Sequence, residues 1–226
     1  MSEFQRYAIY YLPEDKALAS FGAAWLGWDV AQGAPVRHMD IDGIDLATVT
    51  VTPRKYGFHG TLKAPFRLAP GQTPEDLATA CATLAASHPP VTIAGLQIAP
   101  LGDFLALIPT DDSPDLATLA ARCVTDLDRF RAPLTDADLA RRRTSPLTPR
   151  QDDNLVRWGY PYIFDDFRFH LTLSSRLTPD TLQAVQASAK THLSSLPTPF
   201  TLRSISLVVE RADGSFRALN RYPLTG

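Results

Sequence analysis

The sequence predicts an α+β protein with two mainly antiparallel sheets, flanking helices and a central cleft, built as a single bilobal domain over residues 1–226. Two observations lead to this reading. Short β-rich runs alternate with capped, Ala- and Leu-rich runs, and no apolar stretch approaches the ~18 residues of a membrane span. In addition, the order strand, helix, strand, turn, strand occurs twice. Each copy starts at a His-x-Thr triplet, and the two histidines, His59 and His170, lie 111 residues apart. A chain with 45% hydrophobic and 20% charged residues has ordinary globular composition.

Residues 6–13, RYAIYYLP, read as the first strand, β-branched and aromatic residues closed by a proline. Residues 16–29, with Trp25 and Trp28, suit a helix or an irregular packed segment. Gly33, Pro35, Gly43 and Pro53 then mark a long connection. Residues 58–68, FHGTLKAPFRL, read as a strand ending near Pro65. At Thr73 the run TPED supplies a cap, a proline at the first helical position and acidic residues in the first turn. It predicts a helix to about Ser87, stopped by Pro89 and Pro90. Residues 91–99 and 104–109 are strands around the Leu101-Gly102-Asp103 turn, and Ser113-Pro114-Asp115 opens a helix to about Phe130.

The second copy follows suit. Residues 167–174, FRFHLTLS, form a strand, and Thr178-Pro179-Asp180 caps a helix to about Leu196. Residues 200–210 and 216–223 make a hairpin around Asp213-Gly214. The lobe repeats are thus roughly 54–130 and 167–226, related by a pseudo-twofold axis. Residues 131–166 connect them. This connection is charged and then aromatic, and the Trp158-Gly159-Tyr160-Pro161-Tyr162 cluster has two readings: packing for the second lobe, or a lid over a ligand site.

Side chains alternate along a strand, so His59, Thr61 and Lys63 are expected on one face and Phe58, Gly60 and Leu62 on the other. In the second copy Arg168, His170, Thr172 and Ser174 share a face. Brought together, the polar faces would line one cleft with two imidazoles and two hydroxyls. That set suits phosphodiester cleavage: a neutral imidazole takes a proton while a protonated one gives a proton to the leaving oxygen. Hydroxyls donate to the non-bridging oxygens, and an ammonium offsets their charge. Neither a metal nor another cofactor is called for.

Lys63 has a second reading, as a lysine that simply reaches solvent, and Arg168 as a partner of Asp165 or Asp166. Tyr56, just before the first triplet, and Tyr160 of the aromatic block complete the candidate substrate contacts. His38, His88 and His192 lack this setting and read as surface or loop residues.

Cys81 and Cys123 fall in helical stretches and read as small buried hydrophobes, and no Cys-x-x-Cys or His-Glu-x-x-His pattern suggests zinc. The first residues lack a basic segment followed by an apolar run, so a cytoplasmic location is expected, with no membrane partner. A net charge of −2 argues against broad nucleic-acid binding, because such binding needs many phosphate contacts.

The two motifs, HGTL from His59 and HLTL from His170, resemble the two-histidine (2H) phosphoesterase superfamily, whose hallmark is paired His-x-Ser/Thr-x-hydrophobic motifs on a duplicated bilobal α+β fold. The longer blocks RYAIYYLP, WLGWD, PRKYGFHGTLKAPF, DRFRAPL and WGYPYIFDDFRFHLTL resemble the branch labelled as phosphonate-metabolism proteins, domain of unknown function 1045. The resemblance implies a cyclic phosphodiesterase acting on a small phosphate ester, with His59 and His170 as acid and base and Thr61 and Thr172 on the phosphate. Its context points to phosphonate metabolism and to a compound such as ribose 1,2-cyclic phosphate. Two other functions stand beside it. One is RNA 2′,3′-cyclic phosphate or 2′–5′ end processing, which needs a basic track such as Arg141 to Arg143 with Arg150 and Arg157. The other is a non-catalytic phosphate-ligand sensor. Which histidine is acid and which is base stays open at this level.

Overall fold

The computed structural model describes residues 4–193 and 195–226. In chain order its elements are β1 (Tyr7–Tyr11), α1 (Lys16–Leu26), β2 (Trp28–Asp29), β3 (Ala34–Pro35), α2 (Leu46–Val49), α3 (Val51–Arg54), β4 (Gly60–Phe66), α4 (Pro74–Ala86), β5 (Val91–Ile93), β6 (Leu96–Leu101), β7 (Phe104–Pro109), α5 (Pro114–Thr125), α6 (Asp136–Arg142), α7 (Pro149–Trp158), β8 (Leu171–Thr172), α8 (Pro179–His192), β9 (Phe200–Leu202), β10 (Ser204–Glu210) and β11 (Phe216–Pro223).

Helix starts follow local chemistry. The side chains of Asp15, Thr73 and Ser113 accept hydrogen bonds from the amides of Leu18, Asp76 and Leu116, satisfying otherwise orphaned donors. Segment 16–29 resolves as helix α1, ended by Gly27 in the left-handed region and burying Leu18, Phe21, Trp25 and Leu26. The charged connection contains two short helices rather than loop alone, each opened by a reciprocal capping box, Thr135 with Asp138 and Thr148 with Gln151.

Seven strands form one sheet in the order β11-β10-β1-β4-β8-β7-β6, every neighbouring pair antiparallel. The two sheets expected from sequence are the two sides of this one, β11-β10-β1-β4 and β8-β7-β6. They meet at a seam where Gly60 faces Leu171. The hairpins cross over. β6 and β7, which follow β4 in the chain, lie beside β8, whereas β10 and β11, which follow β8, lie beside β1. Helices cross with them: α4 packs on β10 and β11, and α8 on β6 and β7. The crossing is tied by β5 and β9, which pair with each other, Thr92 opposite Thr201.

Several boundaries differ from expectation. Segment 91–99 is two strands, because β5 leaves to pair with β9 while β6 pairs with β7. The strand expected over 167–174 keeps only two residues. Beyond it the Leu173 amide bonds the Leu105 carbonyl, the Leu173 carbonyl accepts from Trp25 Nε1, and the Ser175 amide bonds Val49. Helix α5 stops at Thr125, and a 3-10 turn over Asp128–Phe130 carries Phe130 into the core. Helix α8 ends at His192 rather than near Leu196.

One large apolar core takes Tyr7, Ile9 and Tyr11 of β1, while Ala8, Tyr10 and Leu12 point to a smaller cluster with Val30, Val208 and Phe216. Cys81 and Cys123 are free and buried, as expected of small hydrophobes. Among the described residues no helix is long and apolar enough to cross a membrane.

Candidate active site at the seam

Gly60 and Leu171 form an antiparallel pair. The register therefore sets His59 opposite Thr172 and Thr61 opposite His170. Pleating turns these four residues to one face of the sheet, and Leu171 on the other face enters the main core. Directly opposed side chains have Cβ atoms about 5 Å apart, close enough to act on one small group. Thr61 and His170 line a 420 Å³ cavity, together with Leu62, Tyr160, Tyr162 and Phe164. His59 and Thr172 are not part of its wall. His59 is linked to it through Thr61.

The two imidazoles are held alike. His59 Nδ1 lies 2.8 Å from the carbonyl oxygen of Gly57, and His170 Nδ1 lies 2.7 Å from that of Arg168. A carbonyl only accepts, so each Nδ1 carries the hydrogen and each neutral ring keeps its lone pair on Nε2. His59 Nε2 lies 3.0 Å from Thr61 Oγ1, which donates to it. Burial lowers both pKa values. That of His59 falls to about 4: the hydrogen bond to Gly57 opposes burial, and the charge of His170 adds to the lowering. His170 is lowered by burial, against the hydrogen bond to Arg168.

The surroundings explain this local sequence. Phe58 packs so closely on α1 that a Cβ at Gly22 would lie 1.9 Å from its ring. Gly57 has φ +72, and a Cβ there would lie 2.5 Å from Val30. At Gly60 a Cβ would lie 2.4 Å from the Phe169 ring, so the first triplet needs glycine between its histidine and threonine.

The other candidates are placed differently. Lys63 does not share the face of His59 and Thr61. Ile9 pairs with Lys63 and Tyr10 with Thr61, which leaves Leu62 as the extra residue of a β-bulge and turns Lys63 to the core side. There it is 3% exposed, donates to the Val124 carbonyl at 2.9 Å and lies 3.6 Å from Asp128; burial lowers its pKa to about 8.

Arg168 borders the cavity but does not hold Asp165 or Asp166; Arg150 pairs with both. Tyr56 packs 5.0 Å from Phe216, with its ring centre 6.3 Å from that of His59. Tyr160 lines the cavity with Arg142 stacked 4.9 Å over its ring.

Sequence reasoning did not single out Tyr10, whose ring stacks on His59 at 3.7 Å, or Phe104, 5.7 Å from His170. Both sit in strands with continuous apolar character, where alternation gives no signal. Arg142, whose Nε is buried without a hydrogen-bond partner among the described residues, was legible only as one of a charged run.

The chain is a member of the protein family of unknown function DUF1045, whose family model matches residues 61–217, from Thr61 through the second triplet. This is the branch that the motif blocks resemble. Among curated proteins it is 37% identical over 231 residues to a ribose 1,5-bisphosphate phosphokinase PhnN of Janthinobacterium sp. (strain Marseille), covering 98% of this chain and 51% of that protein. A protein of the same name from Laribacter hongkongensis (strain HLHK9) is 34% identical over 190 residues, covering 83% of this chain and 44% of that protein. The chain thus spans about half the length of the curated relatives it matches. Among solved structures, E. coli LigT in apo form aligns over 100% of both chains with a TM-score of 0.45 and 16% identity. A protein described as a phosphoesterase aligns over 99% of this chain and 100% of its own, with a TM-score of 0.41 and 16% identity.

Proposed function

We propose that this chain is a metal-independent phosphoesterase that hydrolyses a cyclic phosphodiester of a small metabolite in the cytoplasm, with His59 and His170 together supplying the general acid and the general base, in either order, and Thr61 and Thr172 on the phosphate. The observation that carries the reading is the seam register, in which each histidine stands opposite the other strand's threonine. Water attacks phosphorus as one neutral Nε2 takes its proton. The ester P–O bond breaks as the other, protonated ring gives its proton to the leaving oxygen, and a phosphomonoester results. Thr61 donates to His59. A bound phosphate oxygen would draw that donor away and free Nε2 for proton transfer. Tyr160, and Arg168 at the cavity edge, contact the remainder of the substrate.

The name of the curated relatives supports a phosphorylated ribose, with ribose 1,2-cyclic phosphate as the first candidate, and a place in phosphonate metabolism. The RNA reading has less support. Of the arginines in its basic track, Arg141, Arg143 and Arg150 are each paired with a carboxylate, leaving little free charge for a phosphate backbone.

The test is hydrolysis of a panel of cyclic sugar and nucleoside phosphates in EDTA. Activity should survive chelation. His59→Ala and His170→Ala should each lower kcat by about 10²–10⁴-fold with the circular dichroism spectrum unchanged. Loss of activity on chelation, or full activity in either variant, would overturn the assignment. Tight binding of a cyclic phosphate without turnover would instead identify a sensor.

A further inference from the structure

We propose that Tyr10 is the positioning residue that makes the two histidines unequal, fixing His59 as the general base and leaving His170 as the general acid of hydrolysis. This rests on the phosphoesterase reading and goes beyond it, because the paired motifs alone leave the two roles interchangeable.

The inequality lies one strand away from each triplet. In the first half Thr61 pairs with Tyr10 of β1, and in the second half Thr172 pairs with Ala106 of β7. Gly60 and Leu171 likewise pair with Tyr11 and Leu107, so β1 and β7 occupy equivalent places and Tyr10 corresponds to Ala106. A large ring therefore stands beside His59 where only a methyl group stands in the other copy. The Tyr10 and His59 rings are stacked, with centres 3.7 Å apart and planes 22° apart. The ring beside His170, Phe104, is 5.7 Å away and tilted by 56°.

Tyr10 is itself immobile, 1% exposed among Ala8, Val30, Val208 and Phe216. His59 is thus fixed by three contacts of different kinds: Nδ1–H on the Gly57 carbonyl, one ring face on Tyr10, and Nε2 accepting from Thr61. The groups facing it are Tyr10 from β1, Tyr56 from the turn before β4, Thr61 from β4, and Thr172 and His170 across the seam. None is a carboxylate, so none of these groups offsets a positive charge on the ring. A stacked imidazole with a fixed lone pair suits proton uptake from water. His170, on the cavity wall with no ring stacked on it, is left to give its proton to the leaving oxygen.

The test compares Tyr10→Phe, which keeps the ring, with Tyr10→Ala, which copies the other half. Tyr10→Leu fills the volume without a flat face, and is read in the same way if Tyr10→Ala does not fold. Tyr10→Phe should stay within about threefold of the parent. Tyr10→Ala should lower kcat about 10–100-fold, part of the general-base contribution, with little change in KM, and should move the acid limb of the kcat/KM profile up toward pH 6.5.

NMR titration of the histidine side chains without substrate should show His59 moving upward in Tyr10→Ala and His170 staying in place. This arm needs no turnover, so it decides the role of Tyr10 even if no cyclic phosphate proves to be a substrate. An unchanged kcat and acid limb, or movement of His170 instead of His59, would overturn the proposal.

Discussion

Single atoms decide whether the two triplets can meet. The hydrogen at Gly60 is what lets the Phe169 ring lie across β4, since a Cβ there would come within 2.4 Å. Gly60→Ala should therefore cost about 1–3 kcal/mol, because a packed aromatic ring and the β4–β8 pairing must shift together. Urea denaturation measures the cost, and the same variant should lose turnover through displacement of Thr61 relative to His170. Lys63 makes the opposite prediction. Its ammonium is committed to Val124 and Asp128, and Asp128 keeps Arg131 as a partner at 2.7 Å without it. Lys63→Met should leave kcat/KM unchanged while costing about 1–3 kcal/mol of stability, since the buried Val124 carbonyl loses its donor even though Asp128 keeps Arg131. A tenfold loss of kcat/KM in a folded Lys63→Met protein would return the lysine to the substrate.

Elements differ in how much of their behaviour is local, and this sets what the sequence can tell. The starts of α4 and α5 were readable because cap, proline and acidic first turn lie within four residues. The shared face of each histidine and threonine was readable because a strand repeats every two residues. The bulge at Leu62 was not, because it exists only against β1, and it reversed the face of Lys63. The stack of Tyr10 on His59 depends on a partner 49 residues away and the exchange of hairpins on partners up to 202 residues away (Tyr7 with Val209), beyond any periodicity. At this scale the segment before β8 also has a testable part. Arg150 of α7 grips Asp165 and Asp166 in the turn that follows the aromatic block, and Tyr160, Tyr162 and Phe164 of that block line the cavity. Breaking an exposed network of this kind costs about 1 kcal/mol. Arg150→Ala should accordingly raise KM by up to about fivefold while leaving kcat nearly unchanged, as steady-state kinetics would show.

At the scale of the molecule, the crossing hairpins leave neither half able to complete its sheet alone: β4 has β10 and β11 two and three strands away, beyond β1, and β8 depends on β6 and β7 from the other copy. Unfolding should therefore be a single transition, and the histidine at the seam should make it sensitive to pH. Burial lowers the pKa of His59 from an ordinary 6.5 to about 4. Between those values the unfolded chain binds a proton that the folded chain refuses, so acid favours unfolding. The stability held by a neutral His59 is complete above pH 6.5 and is lost as pH falls toward 4. The loss is on the order of 2 kcal/mol, allowing for the ring's remaining contact with water. Buried or paired carboxylates such as Asp138, whose pKa is lowered by Arg67 and Thr135, add their own loss only at still lower pH. Urea midpoints at pH 7, 5.5 and 4.5 should fall steadily for the parent and less for a His59→Asn variant, the remaining fall in this window coming from His170, whose pKa burial also lowers. Far-ultraviolet and tryptophan signals should coincide at each pH, because the seam belongs to both halves. Separate transitions, or an equal fall in the His59→Asn protein, would show that the acid sensitivity lies elsewhere than at the seam.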